Sequence, residues 1–102
     1  MSPTSRSLAK LRKEGWLAGT VERYNPYSRR RHDLYDLFDL VAVRENEVLF
    51  VQTTSASNVN ARIKKIANHP DTPFIRKCGA LLHVHGWGKR KNRWHCRVVD
   101  VS

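Results

Sequence analysis

Asp39, Gln52 and Thr54 are polar residues in segments that otherwise have the composition of buried strands. Asp39 lies within LYDLFDLVAV (34–43), which is apolar on both alternating faces, a pattern typical of a strand buried on both sides. Gln52 and Thr54 lie in VLFVQTT, the next predicted strand. An ionised carboxylate in a buried strand is unfavourable unless it is paired, hydrogen-bonded or bound to a metal. Asp39 therefore needs a partner.

The segment RENE between these strands decides which residues face each other. If it is a four-residue loop, Val43 pairs with Val48, and counting along both strands puts Asp39 opposite Gln52 on one face of the sheet. Thr54 is expected on the same face, two residues further on. The predicted cluster of carboxylate, amide and hydroxyl has two interpretations. It is either a buried polar network that satisfies Asp39 or a site that performs chemistry.

The remaining chain alternates helical and extended patterns. Pro3 and Gly15 suit the start and end of a first helix, and Pro70 ends a second helix that begins after strand 48–54. Asp36 lies in the same predicted strand as Asp39. The predicted elements are a helix at 3–14, strands at 17–24, 34–43 and 48–54, a helix from about 55 to 68, a helical turn at 74–78, and a hairpin of strands 80–87 and 93–101.

The segment DLFDLVAVRENEVLFVQTTS and the helix start SNVNARIKKI resemble the core of the PD-(D/E)XK nuclease superfamily. Within it, the pattern is similar to archaeal-type Holliday-junction resolvases and VRR-NUC-like small phage and prophage proteins. The resemblance covers roughly residues 6–87. It implies a restriction-endonuclease-like αβββαβ core of the α/β (α+β) class, with a mixed sheet flanked by helices. A C-terminal hairpin follows that core.

The resemblance also implies roles for the polar cluster. Asp39 takes the place of the metal-binding Asp, Gln52 that of the second acid and Thr54 that of the Lys, with Mg²⁺ or Mn²⁺ as the implied cofactor. The motif is degenerate, because a Gln carbonyl brings less charge to Mg²⁺ than a carboxylate and Thr54 cannot replace an ammonium group. Either Glu22 supplies the missing carboxylate and Lys64 or Lys65 a displaced cation, or Glu22 is a surface partner of Arg23 or Arg44 and the two lysines lie on a solvated or phosphate-contacting helix face.

Charge and length limit the possible classes of protein. The chain has 102 residues, with 19 Lys and Arg against 9 Asp and Glu, for a net charge of +10. This length predicts a single domain, 1–102, and the charge predicts a polyanionic partner. There is no apolar run long enough to span a membrane and no secretory signal pattern. We therefore expect a cytoplasmic protein, located in a bacterial host cell if it is encoded by a phage.

DNA is the expected partner, bound through its backbone or its shape, because no helix-turn-helix or RNA-binding signature appears. Tyr24, Tyr27, Trp87 and Trp94 are interleaved with the basic clusters, as in surfaces that stack on bases, although the two Trp could equally be hairpin core. The candidate nucleic-acid-binding residues are Arg29, Arg30, Arg31, Arg62, Lys64, Lys65, Lys89, Arg90 and Lys91.

The two cysteines, Cys78 and Cys96, lack C-x-x-C spacing and are interpreted mainly as structural thiols. A zinc site from His83, His85, His95 and Cys96 is the alternative. His83 and His85 would share a strand face, whereas His95 and Cys96 would point to opposite faces of theirs.

Three functions remain open from the sequence. The first is a Mg²⁺-dependent endonuclease acting on branched or distorted DNA, in which a homodimer would grasp two duplex arms. The second is a catalytically degenerate DNA-binding or accessory protein of the same fold, which Gln52 and Thr54 favour. The third is an inhibitor or regulator of a nucleic-acid enzyme that uses its basic face.

Overall fold

The computed structural model describes residues 1–21 and 23–102, and the side chains of 23–25 and 30–31 also lie outside that description. Three α-helices and seven strands are described, with a 3-10 turn at Ala56–Asn58. The helices are α1 (Pro3–Lys13), α2 (Val59–Asn68) and α3 (Thr72–Lys77). The strands are β1 (Leu17–Thr20), β2 (Arg23–Asn25), β3 (Arg30–His32), β4 (Leu40–Arg44), β5 (Glu47–Ser55), β6 (Leu81–Arg90) and β7 (Arg93–Asp100).

Five of the strands form one mixed sheet in the order β1-β4-β5-β6-β7. β4 is antiparallel to both β1 and β5, β5 and β6 are parallel, and β7 is antiparallel to β6. The parallel pair requires a crossover connection, which α2 and α3 supply. This sheet, flanked by helices and ending in a strand pair, confirms the predicted α+β class. None of the helices in the described residues is long and apolar enough to cross a membrane.

The local signals at helix ends and hairpins have the expected effects. Ser2 caps α1 in a reciprocal capping box with Ser5, and Gly15 ends the helix with a φ of 92°. Val43 pairs with Val48 as predicted, although the strands run one pair further, to Arg44 and Glu47.

Two apolar layers cover the two faces of the sheet. The layer under α2 and α3 contains Phe38, Val59, Ile66 and Leu82, all 0% exposed. The layer under α1 contains Leu11, Trp16, Leu40, Ala42, Leu49 and Val51. β5 contributes Val51 to one layer and Phe50 to the other, so it packs on both faces of the sheet, which the sequence predicted for the segment 34–43 instead.

The predicted strand 34–43 is wrong over its first half. Tyr35 and Asp36 have φ of 56° and 57°, and the amide of Leu34 donates to the carbonyl of Phe38 across a tight turn. This turn exposes Asp36, so that Asp36 does not lie in a buried strand. It also buries the consecutive residues Leu37 and Phe38 in one core layer, which strand alternation does not allow.

Two other segments differ from prediction. The extended segment 17–24 is divided between two sheets, and the basic segment 29–32, predicted as a loop, contributes β3, which pairs with β2 in a separate two-stranded sheet. The C-terminal hairpin is longer than predicted. Its turn is two residues, Lys91 and Asn92, both with positive φ, in place of five.

A buried polar contact ties α1 to the sheet. The Ser7 hydroxyl, 0% exposed, accepts from Trp87 Nε1 at 2.8 Å and lies 2.9 Å from His85 Nδ1. Burial lowers the pKa of His85 to about 4, with the nearby His83 and Lys10 adding to the effect. His85 is therefore neutral at pH 7, and its hydrogen bond with the Ser7 hydroxyl joins two uncharged groups.

We expect this contact to make stability dependent on pH. Between an unfolded pKa of 6.5 and a folded pKa of about 4, the unfolded chain binds a proton on His85 that the folded chain does not. The free energy of unfolding should therefore fall as the pH falls through this window, by up to about 3 kcal/mol from His85. Chemical denaturation at pH 7, 5.5 and 4 measures the effect, and His85→Gln should flatten it. His83→Gln is the control, since His83 is less buried and its pKa is lowered against the opposing charge of Asp100. Parallel pH profiles for the parent and His85→Gln would contradict the assignment.

Candidate functional site

Asp39 lies at the start of β4, 7% exposed, where β5 continues past the end of its partner. One of its carboxylate oxygens, Oδ2, accepts three hydrogen bonds. The donors are the Thr53 amide at 2.7 Å, the Thr53 hydroxyl at 2.8 Å and Gln52 Nε2 at 3.1 Å. The partner that the sequence required for Asp39 is therefore a set of neutral donors from β5.

The predicted pairing of Asp39 with Gln52 is confirmed by this contact, but the hydroxyl belongs to Thr53 and not to Thr54. The amide of Asp39 donates to the carbonyl of Val51, and the regular backbone pairing of β4 with β5 ends there. Beyond this point the Asp39 side chain, not its backbone, bonds to β5. The carboxylate reaches the Thr53 side chain, which lies on the α1 face and is 2.8 Å from the Thr4 hydroxyl. Strand alternation puts Thr54 on the opposite face, with Gln52.

Gln52 has one atom that this network leaves without a partner. Its Nε2 donates to Asp39 and to the carbonyl of Thr53, whereas Oε1 is buried and has no hydrogen-bond partner among the described residues. A buried carbonyl oxygen without a donor is unusual and calls for an explanation. Gln52 Oε1 is therefore an acceptor that an additional ligand of this cluster could use.

The described residues do not form a complete Mg²⁺ site. Mg²⁺ in proteins is usually held by carboxylates and retains several waters in a near-octahedral shell. Here Asp39 is the carboxylate, its Oδ2 is already the acceptor of three protein donors, and the second position is the neutral Gln52. No group of three His, Cys, Asp or Glu placed to hold a metal is found in the part of the chain that the structure describes.

The two residues that would repair the motif do not join the cluster. Glu22 lies outside the described residues. Lys64 and Lys65 are exposed on α2, and no contact of either with Asp39 is found within the described ranges. Thr54 is buried at 6% exposure, and its hydroxyl makes no hydrogen bond in the described structure.

The proposed zinc ligands are divided between two faces of the sheet. His83 and His85 share the α1 face with rings 6.4 Å apart, and Cys96, paired with Trp87, also faces α1. His95 pairs with Gly88, whose missing Cβ points to Ala56 on the α2 side. Burial raises the pKa of Cys96 to about 11, so the thiolate needed for zinc is disfavoured. Cys96 and the exposed Cys78 are free thiols.

The predicted nucleic-acid-binding residues occupy three separate regions. Arg29 is exposed in the turn between β2 and β3, and the side chains of its neighbours Arg30 and Arg31 lie outside the described residues. Arg62 is half-buried on α2, next to the exposed Lys64 and Lys65. The tip of the C-terminal hairpin carries Lys89, Arg90 and Lys91, all exposed.

Sequence reasoning missed two arginines that the fold brings to this hairpin. Arg6 of α1 stacks on Trp94, with its Cζ 3.8 Å from the ring centroid, and Lys89 Nζ is 6.0 Å from the same ring. Arg97 lies two residues beyond His95 on β7, on the face that His95 and Arg93 share. Alternation of side chains along β7 could have identified Arg97, but the long-range contact of Arg6 has no local signal.

The charge of the chain is concentrated in one part of the fold. Residues 48–102, which form β5 after its first residue Glu47 together with α2, α3, β6 and β7, contain ten Lys and Arg against two Asp and Glu. Residues 1–47 contain nine Lys and Arg against seven Asp and Glu. From residue 72 to residue 99 there is no acidic residue at all. The excess positive charge is therefore concentrated on the parallel strands β5 and β6, the helices between them and the C-terminal hairpin.

Comparison of the chain with models of protein families, with curated proteins and with solved structures finds no match.

The Asp39 network predicts different effects for two neighbouring threonines. Thr53→Val removes the hydroxyl that donates to Asp39 and contacts Thr4, and it leaves a buried carboxylate short of a donor. We expect a loss of about 1–3 kcal/mol in the free energy of unfolding. Thr54→Val is the matched control on the opposite face and should cost less than about 1 kcal/mol. Urea denaturation of both variants measures the difference. A larger loss for Thr54→Val would show that the network is assigned to the wrong threonine.

Proposed function

We propose that this protein binds DNA through the phosphate backbone and does not require cleavage chemistry to function. The observation that carries the proposal is the acid-free segment 72–99, with its exposed cations on the hairpin. Such a concentration of positive charge supplies sequence-independent affinity for a polyanion. Under this proposal DNA is the partner and the cytoplasm is the compartment, in a bacterial host if a phage encodes the protein. A homodimer would bring two such surfaces to two duplex arms.

The arrangement of the cations favours backbone contacts over base reading. Base-edge recognition usually uses a helix that enters the major groove with several side chains. Among the described helices, α2 has ten residues and buries Val59 and Ile66 against the sheet, and α3 has only six. The exposed cations are therefore spread over strand ends and a helix side, where phosphate contacts are easier to form.

The Asp39 cluster supports the interpretation without cleavage. Its Oδ2 is directed at three donors of β5, and the network connects β4, β5 and α1. A carboxylate used in this way has a structural role that is sufficient to explain why it is buried.

Binding should depend steeply on salt. Six to ten phosphate contacts would lower the affinity by roughly 10³- to 10⁵-fold between 50 and 200 mM monovalent salt. Fluorescence anisotropy with a labelled duplex across this range measures the slope. An affinity that barely responds to salt would contradict the proposal.

Sequence and nucleic-acid type provide the controls for that measurement. The triple variant Arg29→Ala, Arg30→Ala, Arg31→Ala should weaken binding to unrelated duplex sequences about equally, because phosphates carry no sequence information. A loss confined to one sequence would indicate base reading. Tighter binding to duplex RNA than to DNA would identify RNA as the partner instead.

A second candidate function is Mg²⁺-dependent cleavage of branched or distorted DNA, as the nuclease resemblance implies. The observation that favours it is Gln52 Oε1, a buried oxygen beside a carboxylate for which the described residues supply no donor. If a divalent ion binds there, Gln52 Oε1 and Asp39 would hold it, and Glu22 would have to complete the shell. The ion would supply a Lewis acid next to the scissile phosphate.

Asp39→Asn separates the two functions. If Asp39 is a metal ligand, millimolar Mn²⁺ should raise the melting temperature of the parent, and the variant should lose both that rise and any cleavage. If Asp39 is a structural acceptor, the parent should not respond to Mn²⁺. The variant should then lose about 1–3 kcal/mol of stability, because an amide group replaces an acceptor that serves three donors. Thermal melts with and without Mn²⁺, and a nicking assay on a four-way junction, distinguish these results.

A further inference from the structure

The C-terminal hairpin extends beyond the rest of the sheet. β5 ends at Ser55, which faces Trp87, whereas β6 and β7 continue to pair with each other as far as Arg90 and Arg93. Residues 88–95, which we call the ribbon, are therefore joined to the described sheet through their own two strands. A two-residue turn closes the ribbon at its tip.

The two faces of the ribbon differ. On the α1 face, Lys89 pairs with Trp94, and the stacked Arg6 connects Trp94 to α1. On the α2 face, Arg90 pairs with Arg93, Gly88 with His95 and Gly86 with Arg97. Arg90, Arg93, His95 and Arg97 are all exposed. One face is thus held against the helix, and the other presents a row of cationic side chains.

Arg90 and Arg93 form a cross-strand pair of like charge. Opposite-charge pairs at such positions stabilise a sheet, and like charges directly opposite each other destabilise it. Arg97 adds a third cation on the same face, and the one carboxylate of the hairpin strands, Asp100, lies at the opposite end of β7, beyond the acid-free segment 72–99. The free protein therefore carries an electrostatic strain that an anion on this face would relieve.

A cleft lies beside this row of cations. It has a volume of about 480 Å³ and is bordered by Ala56, Gly86, Gly88, Lys89, Arg90, His95, Cys96 and Arg97. The glycines shape it, because a Cβ on Gly86 would lie 2.1 Å from Val59 Cγ2 and one on Gly88 would lie 3.0 Å from Ala56 Cβ. Because these two glycines have no side chains, the 3-10 turn and the start of α2 pack close to β6, and Ala56 of the turn forms one wall of the cleft.

We propose that this cleft and the row Arg90, Arg93 and Arg97 hold the phosphodiester backbone, an inference that rests on the proposed DNA binding. Guanidinium groups bind phosphate oxygens in bidentate pairs, and the alternating positions on β7 place Arg93 and Arg97 on one face at a spacing of four residues. The ribbon cleft is thus the main phosphate site, and the Arg29 loop and α2 are secondary to it.

Arg93→Glu tests the proposal, because its two expected effects have opposite signs. It turns a like-charge pair with Arg90 into an opposite-charge pair, so the melting temperature of the free protein should rise. It also places a carboxylate at the phosphate site, so the affinity for a duplex should fall by roughly tenfold or more at moderate salt. Arg93→Thr, which keeps a residue favoured in strands, should lower the salt slope by about 1 without loss of melting temperature.

Lys77→Glu is the matched control, since it changes the net charge by the same amount on exposed α3, before β6 begins. It should alter the affinity by less than about threefold, as expected for a charge remote from the contact. Equal losses for Lys77→Glu and Arg93→Glu would overturn the proposal in favour of a net-charge effect.

The remaining outcomes distinguish failure of this inference from failure of the proposed DNA binding. If the parent binds DNA and both Arg93 variants bind as tightly, the ribbon cleft is not the site, although the proposed function stands. If the parent binds no DNA, both fail. If Arg93→Glu lowers both the melting temperature and the affinity, Arg93→Thr decides: it must lose affinity at the parental melting temperature, or the inference is overturned.

Discussion

The hydrogen bond from the Thr53 amide to Asp39 Oδ2, at 2.7 Å, is the contact on which the centre of the sheet depends. β5 pairs with β4 on one side and with β6 on the other, and it continues beyond the start of β4. An amide of a central strand that has lost its neighbour must find another acceptor, because a buried N–H without a partner is costly. The Asp39 side chain provides that acceptor. β5 can therefore stay in the sheet up to Ser55, where the 3-10 turn that leads into α2 begins.

The same contact explains why a carboxylate is found where an apolar residue would otherwise be expected. A neutral side chain accepts fewer and weaker hydrogen bonds than a carboxylate, and this one oxygen serves an amide, a hydroxyl and a side-chain amide. The Thr53 hydroxyl extends the connection to Thr4, so the end of β5 is joined to α1 as well. Ser7 forms a second connection between α1 and the sheet through His85 and Trp87. Together they fix the helix on the face that also supports Trp94 through Arg6.

Much of this architecture could be predicted from local patterns. The apolar runs, the RENE turn and the Gly15 and Pro70 boundaries predict the helices, the central hairpin and the contact of Asp39 with Gln52. The turn at Tyr35 and Asp36 could not be predicted, because its two positive φ values are adopted by residues that do not signal them. The choice of Thr53 over Thr54 also escapes the pattern. Alternation predicts the sheet face on which each side chain of a regular strand lies. Asp39 directly precedes β4, so its carboxylate is not restricted to that face and reaches Thr53. Ser7 contacts residues 78 and 80 positions away along the chain, and Arg6 contacts the still more distant Trp94, so no local pattern could predict these contacts.

The distribution of charge separates the part of the molecule that secures the fold from the part that is available to a ligand. Five of the nine acidic residues lie between Asp33 and Glu47, and the surface pair Arg44–Glu47 closes the β4–β5 hairpin with its ions 2.8 Å apart. Cations in that region have carboxylates within reach. No ion pair of a ribbon cation with a carboxylate is found in the part of the chain that the structure describes, and Arg90 and Arg93 pair with each other across the two strands. Since repulsion between exposed charges is a stability disadvantage that a single substitution could remove, its presence beside a glycine-lined cleft is more readily explained by a polyanion than by the needs of the fold. The hairpin can tolerate the repulsion because the Asp39 and Ser7 contacts stabilise the sheet from which it extends.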